Sequence, residues 1–301
     1  MSGRAPNPET MTQVAHATLV ADVAELAKLR IVLLTAFTAG VGFVLASPAE
    51  VNYWRLTFLL LGCMLGAAGA SAANQYIERD LDSVMNRTRN RPLPSGRLSP
   101  SFALAFALGS SAAGVSLLSV TTHALAAMLL ALTIFLYAGV YTPLKRVTSL
   151  STIVGAVPGA MPTLIGWAAA QHSLDFGAMS LFIIMFFWQL PHFISIGWIY
   201  RDDYAQAGMP MLTVFDASGA MSSRQTLLYS AALLASSVGP AVAQLCGVWY
   251  LLGALVLGLG LLSLSWHWMR LPSIRRAYWV FFGSLAYHAL LFSLMLVDRI
   301  G

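Results

Sequence analysis

Residues 74–93 read NQYIERDLDSVMNRTRNRPL, a run that drives acids, amides and bases into the end of a long apolar segment. Each ionised side chain would cost roughly 2.5 to 3.5 kcal/mol at mid-bilayer, so the cluster needs a chemical reason. Asn74, Glu78 and Asp82 fall at i, i+4 and i+8. On a helix they share one face and drift by only about 40° per step. Asp80 lies roughly 200° around from Glu78 and is expected to face away. Arg87, Arg89 and Arg91 follow at once. Oxygen ligands beside guanidinium groups are what a magnesium diphosphate requires, because hard cations take carboxylates and arginine grips phosphate in a fork.

The chain around this run is that of a membrane protein. Hydrophobic residues make up 58% of the 301 and charged residues 10%, against roughly 45 to 50% and about 25% in soluble domains. A span needs about 20 apolar residues, and nine are expected, at 30–46, 56–77, 102–120, 124–141, 150–170, 178–199, 226–246, 250–269 and 279–297. With the N-terminus in the cytoplasm, one side of this layout holds 15 of the 17 Lys and Arg, and only Arg55 and Arg299 lie opposite. That asymmetry obeys the positive-inside rule and places the C-terminus outside. The net charge of +5 then reflects topology and anionic ligands, with no call for nucleic acid.

The expected fold is all-α: a polytopic bundle of nine helices around a central cavity. Residues 1–24 read as a flexible cytoplasmic segment without a cleavable signal, and residues 25–301 as one membrane domain. Cys63 and Cys246 are isolated in or beside apolar runs and read as packing residues. His123, His172, His267 and His288 have no metal-like spacing.

Two further polar segments fall on the cytoplasmic side. YTPLKR, residues 141–146, brings Lys145 and Arg146, and YRDDYAQAGMPML, residues 200–212, brings Arg201, Asp202, Asp203 and Tyr204. Two acid clusters on one side, each joined to bases, suit two halves of a clamp on one polyanion held through Mg²⁺. Arg87 and Arg91 would share a face if the helix ran on, although Pro92 limits it. His192 sits in WQLPHF, residues 188–193, inside an apolar span. It reads either as a histidine bonded to a carbonyl freed by Pro191 or as a substrate contact. Gly155, Pro158, Gly159, Pro162 and Gly166 mark span five as closely packed, cavity-lining, or both.

The first run resembles the signature of the intramembrane aromatic prenyltransferase superfamily, whose members carry an Asn and two acids at four-residue spacing. Taken together, the four motifs are similar to those of the protoheme IX farnesyltransferase (heme O synthase) branch, in the same order and from about residue 25 to the C-terminus. The resemblance implies transfer of a farnesyl group from farnesyl diphosphate to the vinyl group of heme B, giving heme O for heme A and heme-copper oxidase biogenesis. It implies Mg²⁺ as cofactor and the inner cell membrane as location. Membrane lipid, and heme A synthase or oxidase assembly factors, are the implied partners.

Residue by residue, the resemblance makes Asn74, Glu78 and Asp82 the first diphosphate and magnesium motif and Asp203, with Asp202 beside it, the second. Arg87, Arg91, Lys145, Arg146 and Arg201 fall at the family's basic positions and become diphosphate contacts; His192 and Tyr204 are the further catalytic candidates, either of which would orient the added water or a heme propionate. Four positions depart from the pattern. Glu78 replaces the commoner Asp, Tyr200 and Tyr204 stand where the wider superfamily has acids, and Leu29 replaces a proline, which should alter only how the chain enters span one. Because the first motif is shared across the superfamily, a quinone or chlorophyll-type ring is the alternative acceptor. A heme or small-molecule transporter is the non-enzymatic alternative, since intramembrane polar residues also serve transport.

Overall fold

The structure, a computed structural model, describes residues 8–47 and 50–300; residues 1–7 of the segment expected to be flexible lie outside it. From Pro8 the chain is already helical. α1 (Pro8–Ala27) meets α2 (Leu29–Ala46) at Lys28, whose left-handed φ of 55° interrupts the helix. Leu29 opens α2 at a position where proline is equally at home. α3 (Tyr53–Val84), capped by the Asn52 side chain, runs for 32 residues. That is about 48 Å, well beyond a core of about 30 Å, so its last turns project out of the bilayer.

α4 (Pro100–Thr121) starts from a Ser99 cap with proline in the first turn. α5 (Ala124–Ile134) runs directly into a π-helical stretch, Phe135–Tyr141, and a closing turn, α6 (Thr142–Leu144). α7 (Ser151–Gln171) continues unbroken through Pro158 and Pro162, and α8 (Phe176–Ile199) through Pro191. The short α9 (Arg201–Gln206) and α10 (Leu212–Phe215) precede α11 (Ala220–Ser236) and α12 (Gly239–Val242). α13 (Val248–Arg270) and α14 (Ile274–Val297) complete the chain.

Among the described residues, eight helices are long and apolar enough to cross a membrane, and the protein is a multi-pass helical membrane protein. The ninth expected span, 226–246, is built differently. α11 begins six residues earlier because buried Asp216 accepts the Ser222 N–H at 2.7 Å. It stops after 17 residues, just before Gly239 and Pro240 open α12.

The helices close into a ring. α2 packs on α3, α3 on α4, α4 on α5 and α5 on α7; α7 then meets α8, and α8 contacts α11 and α14, which α13 joins. Contact between α14 and α2 completes the circuit. Small residues set the closest crossings, as expected where lipid gives helices no hydrophobic reason to associate. A Cβ on Gly166 of α7 would strike the Ala39 carbonyl of α2, and one on Gly42 would strike the Thr163 carbonyl in return. Tyr250 and Tyr287, both buried, donate or share hydrogen bonds at Ser237, tying the α11 break to α13 and α14. Cys63 and Cys246 are free and buried. On the outer surface Tyr53, Trp54 and Trp249 are exposed near the Arg55 end, in the manner of an interfacial aromatic belt.

Candidate active site

The last turns of α3 bury the acids predicted to share a face and expose the one predicted to turn away. Asn74, Glu78 and Asp82 are 1%, 4% and 1% exposed, whereas the Asp80 side chain is 76% exposed and pairs loosely with Arg79. Charges this deep persist only with partners. Lys145 Nζ lies 2.5 Å from Glu78 Oε1, and Asn74 Nδ2 donates to Glu78 Oε2 at 2.8 Å. Lys28 Nζ donates to Asn74 Oδ1 at 2.7 Å, and the Asn74 amide also donates to Thr142 Oγ1 at 3.0 Å. Arg91 Nη1 lies 2.7 Å from Asp82 Oδ2.

The arginine-rich segment reaches these acids by folding back rather than by extending the helix. Met85 leaves α3 in extended conformation, and the Thr88 hydroxyl donates to the Asp82 carbonyl at 2.9 Å. Arg87 and Arg91 therefore separate instead of sharing a helical face. Arg91 returns to Asp82, while Arg87 reaches α9. Its N–H donates to Asp203 Oδ2 at 3.1 Å, and Asn86 donates to the other oxygen at 3.4 Å. The Arg87 guanidinium donates to the Tyr204 hydroxyl at 3.1 Å and lies over the Tyr200 ring at 4.7 Å. The two tyrosines standing in place of acids thus hold a base by cation–π contact.

Other predicted residues fall outside this cluster. Arg146 donates to the Ile77 carbonyl at 2.7 Å. Arg201 lies over the Trp198 ring at 4.1 Å and 3.7 Å from Asp202, whose side chain is 90% exposed. Sequence reasoning overlooked Lys28, Thr142 and Asn86. Burial pushes the Lys28 amine down to about 7, with Arg91 and Lys145 acting in the same direction. A lone lysine at the head of the first apolar span was the signal available for it.

Behind the polar cluster lies a cavity of about 270 Å³ between α2, α3, the π-helical stretch, α7 and α8. Tyr141 belongs to both regions: it lines the cavity, and Lys145 Nζ sits 4.8 Å from its ring centroid. Ser71, one turn before Asn74, lines it from α3. Tyr137, Trp188, His192 and Phe193 give the wall its aromatic part and the Gly155–Pro162 stretch of α7 its small part, with Ile31, Leu34 and Met185 adding aliphatic surface. The glycines and prolines of α7 thus both pack and line the cavity. π-Helical turns add a residue per turn and recur at functional sites; here the turns bring Tyr137 and Tyr141 to the cavity and Thr142 to Asn74.

The donors suit a divalent cation that arrives with its ligand. Asp82 Oδ1 is buried without a hydrogen-bond partner. Among the described residues no three of His, Cys, Asp and Glu stand close enough to hold a metal alone. Magnesium commonly uses one or two carboxylates and fills its shell with phosphate oxygens and water.

A ring of membrane helices with an aromatic cavity, closed at one end by buried acids and bases, is the build of an intramembrane enzyme for substrates with a charged head and an apolar tail. The chain belongs to the UbiA prenyltransferase family, which matches residues 33–291, and it is a prenyltransferase. It is 42% identical over 289 residues to the protoheme IX farnesyltransferase of Solibacter usitatus, covering 93% of this chain and 99% of that one. It is 36% identical over 278 residues to the mitochondrial protoheme IX farnesyltransferase of Arabidopsis thaliana, covering 92% of this chain and 64% of that one. A structure of digeranylgeranylglyceryl phosphate synthase matches with a TM-score of 0.77 at 15% identity, covering 93% of this chain and 98% of that one. A UbiA homolog from Archaeoglobus fulgidus bound to GPP and Mg²⁺ matches at 0.63 and 12% identity, covering 91% and 99%. At such identities the structural likeness speaks for the fold.

Proposed function

We propose that the chain transfers a farnesyl group from farnesyl diphosphate to the vinyl group of heme B, yielding heme O. The observation that carries the reading is the buried face of Asn74, Glu78 and Asp82, matched by cations at the border of an aromatic cavity. The four motifs and the names of the most similar relatives support heme B as acceptor.

The diphosphate head belongs at the polar cluster and the farnesyl tail in the cavity. As the allylic C–O bond breaks, its electron pair leaves with the diphosphate. Arg87, Arg91, Lys145 and Lys28 stand where they can stabilise that developing charge. Mg²⁺ would be held by diphosphate oxygens and water, with the Asn74, Glu78 and Asp82 face on one side and Asp203 of α9 on the other, and would add Lewis-acid stabilisation to the leaving group. Tyr137, Tyr141 and Trp188 shield the allylic cation from water and face it with π density. The vinyl π pair then forms the new C–C bond, and water adds to the resulting cation with loss of a proton, leaving a hydroxyethylfarnesyl group.

The charge asymmetry supports an inner-membrane orientation with the polar cluster and N-terminus in the cytoplasm and the C-terminus opposite. Residues 25–301 serve as one catalytic domain, whose product would pass to heme A synthase or an oxidase assembly factor. Full-length protein in lipid nanodiscs, given heme B, farnesyl diphosphate and Mg²⁺, should release pyrophosphate and form heme O, identified by mass spectrometry. Prenylation of a quinone or another ring in place of heme B would replace this reading.

A further inference from the structure

We propose that His192 is the axial ligand to the iron of the acceptor, binding through Nε2, and that Ser284 is the positioning residue that makes this nitrogen available. The proposal rests on heme B being the acceptor. Its geometry is independent of the diphosphate cluster. His192 lies on α8 and lines the cavity, with Nδ1 3.0 Å from Ser284 Oγ on α14. The Ser284 hydroxyl proton is already committed, because that oxygen donates to the Phe281 carbonyl at 2.7 Å. With the hydroxyl proton on that carbonyl, which is the shorter of its two contacts, the oxygen accepts in the pair with His192, which assigns the proton to Nδ1 and leaves Nε2 its lone pair.

Nε2 has no hydrogen-bond partner among the described residues and is not among the enclosed, unpartnered atoms. With Nδ1 turned to α14, it is the ring edge left to the cavity. The ring is held from turning. It stacks on Trp188 at 5.4 Å and on Phe281 at 4.9 Å between centroids. Ser284 fixes that stack too, since its carbonyl accepts the Trp188 indole N–H at 2.6 Å. A neutral imidazole with one nitrogen donating to a fixed oxygen and the other free is the standard arrangement of a metal-binding histidine. His288 contrasts with it: it is 2% exposed, its Nε2 lies 3.5 Å from Thr38 Oγ1, and it does not line the cavity.

The test uses full-length protein in nanodiscs loaded with heme B. Resonance Raman of the ferrous complex should show an iron–histidine stretching band that His192→Gly removes and added imidazole restores. Ser284→Ala should weaken heme affinity about tenfold and broaden the band, as loss of such an outer hydrogen bond does at metal sites, while leaving binding of a Mg²⁺–diphosphate analogue unchanged. Persistence of the band in His192→Gly, in protein that still makes heme O, would overturn the ligand assignment and leave the acceptor reading standing. Failure of the wild-type chain to bind or farnesylate heme B, while prenylating another ring, would overturn both.

Discussion

The acids of α3 and those of α9 offer the same chemistry from opposite settings. Glu78 and Asp82 are 4% and 1% exposed on a 32-residue helix, and each meets a base within 2.7 Å. Asp202 and Asp203 sit on a helix of six residues; one side chain is 90% exposed, and the other is held by an N–H and an amide of the 86–87 turn. Burial on a long helix fixes direction and makes each missing partner costly. Exposure on a short one leaves position to the neighbours. The first site is therefore built before any ligand arrives, whereas the second depends on Arg87, itself part of the chain leaving the first.

The largest expected effect is at Asp82. Asp82→Asn should lower kcat on the order of 10³-fold, the upper range for losing a charge aimed at the reacting centre, with Asp80→Asn as the matched control near wild type. Equal losses at the two positions in folded protein would undo the face assignment. Next comes Lys145→Met, which strands Glu78 as a buried charge. About 3 kcal/mol of stability should be lost, the low end for such a pair because the lysine retains some exposure, and thermal unfolding in detergent without Mg²⁺ would measure it.

Asp203→Asn should raise KM for farnesyl diphosphate about tenfold, the worth of weakened hydrogen bonds to one charged group. A change in kcat alone would place Asp203 with the first site rather than apart from it. Asp202→Asn should be smallest, within about twofold of wild type in steady-state assays, since surface pairs contribute little. A loss matching that of Asp203→Asn would mean both acids reach the ligand.

The two sites also differ in how far they were legible in the sequence. Four-residue spacing at the end of an apolar run contains the whole geometry of Asn74, Glu78 and Asp82, because one helix carries all three. Asp203 against Arg87 joins segments more than 100 residues apart, and spacing says nothing of such a meeting. The i, i+4 relation of Arg87 and Arg91 misled for the complementary reason: the helix ends at Val84, so the spacing had no helix to act on. Lys28 and Thr142 reach Asn74 only through the crossings of the α1–α2 junction and of α6 with α3. Hydropathy located eight long spans and misplaced the start of α11, where Ser222, Ser223 and Thr226 are polar yet buried. A capping aspartate there was invisible to an average over apolar residues.

The π-helical stretch gives the cavity wall a one-residue tolerance in chain length that its α-helical neighbours lack. Its turns hold surplus backbone that an α-helix would not accommodate, and the Thr142 hydroxyl closes them on the Tyr137 carbonyl at 2.8 Å. Deleting one residue there, such as Gly139, would leave every hydropathy average intact and let the segment relax to α geometry. Tyr137 and Thr142, five positions apart across the π turns, would then stand four apart on an α-helix and keep nearly the same face. A frame-preserving loss of three nucleotides there would leave the tail site coupled to the head site, whereas the same loss within Ala124–Ile134, where no surplus turn can absorb it, would rotate the residues before it by about 100° against the cluster.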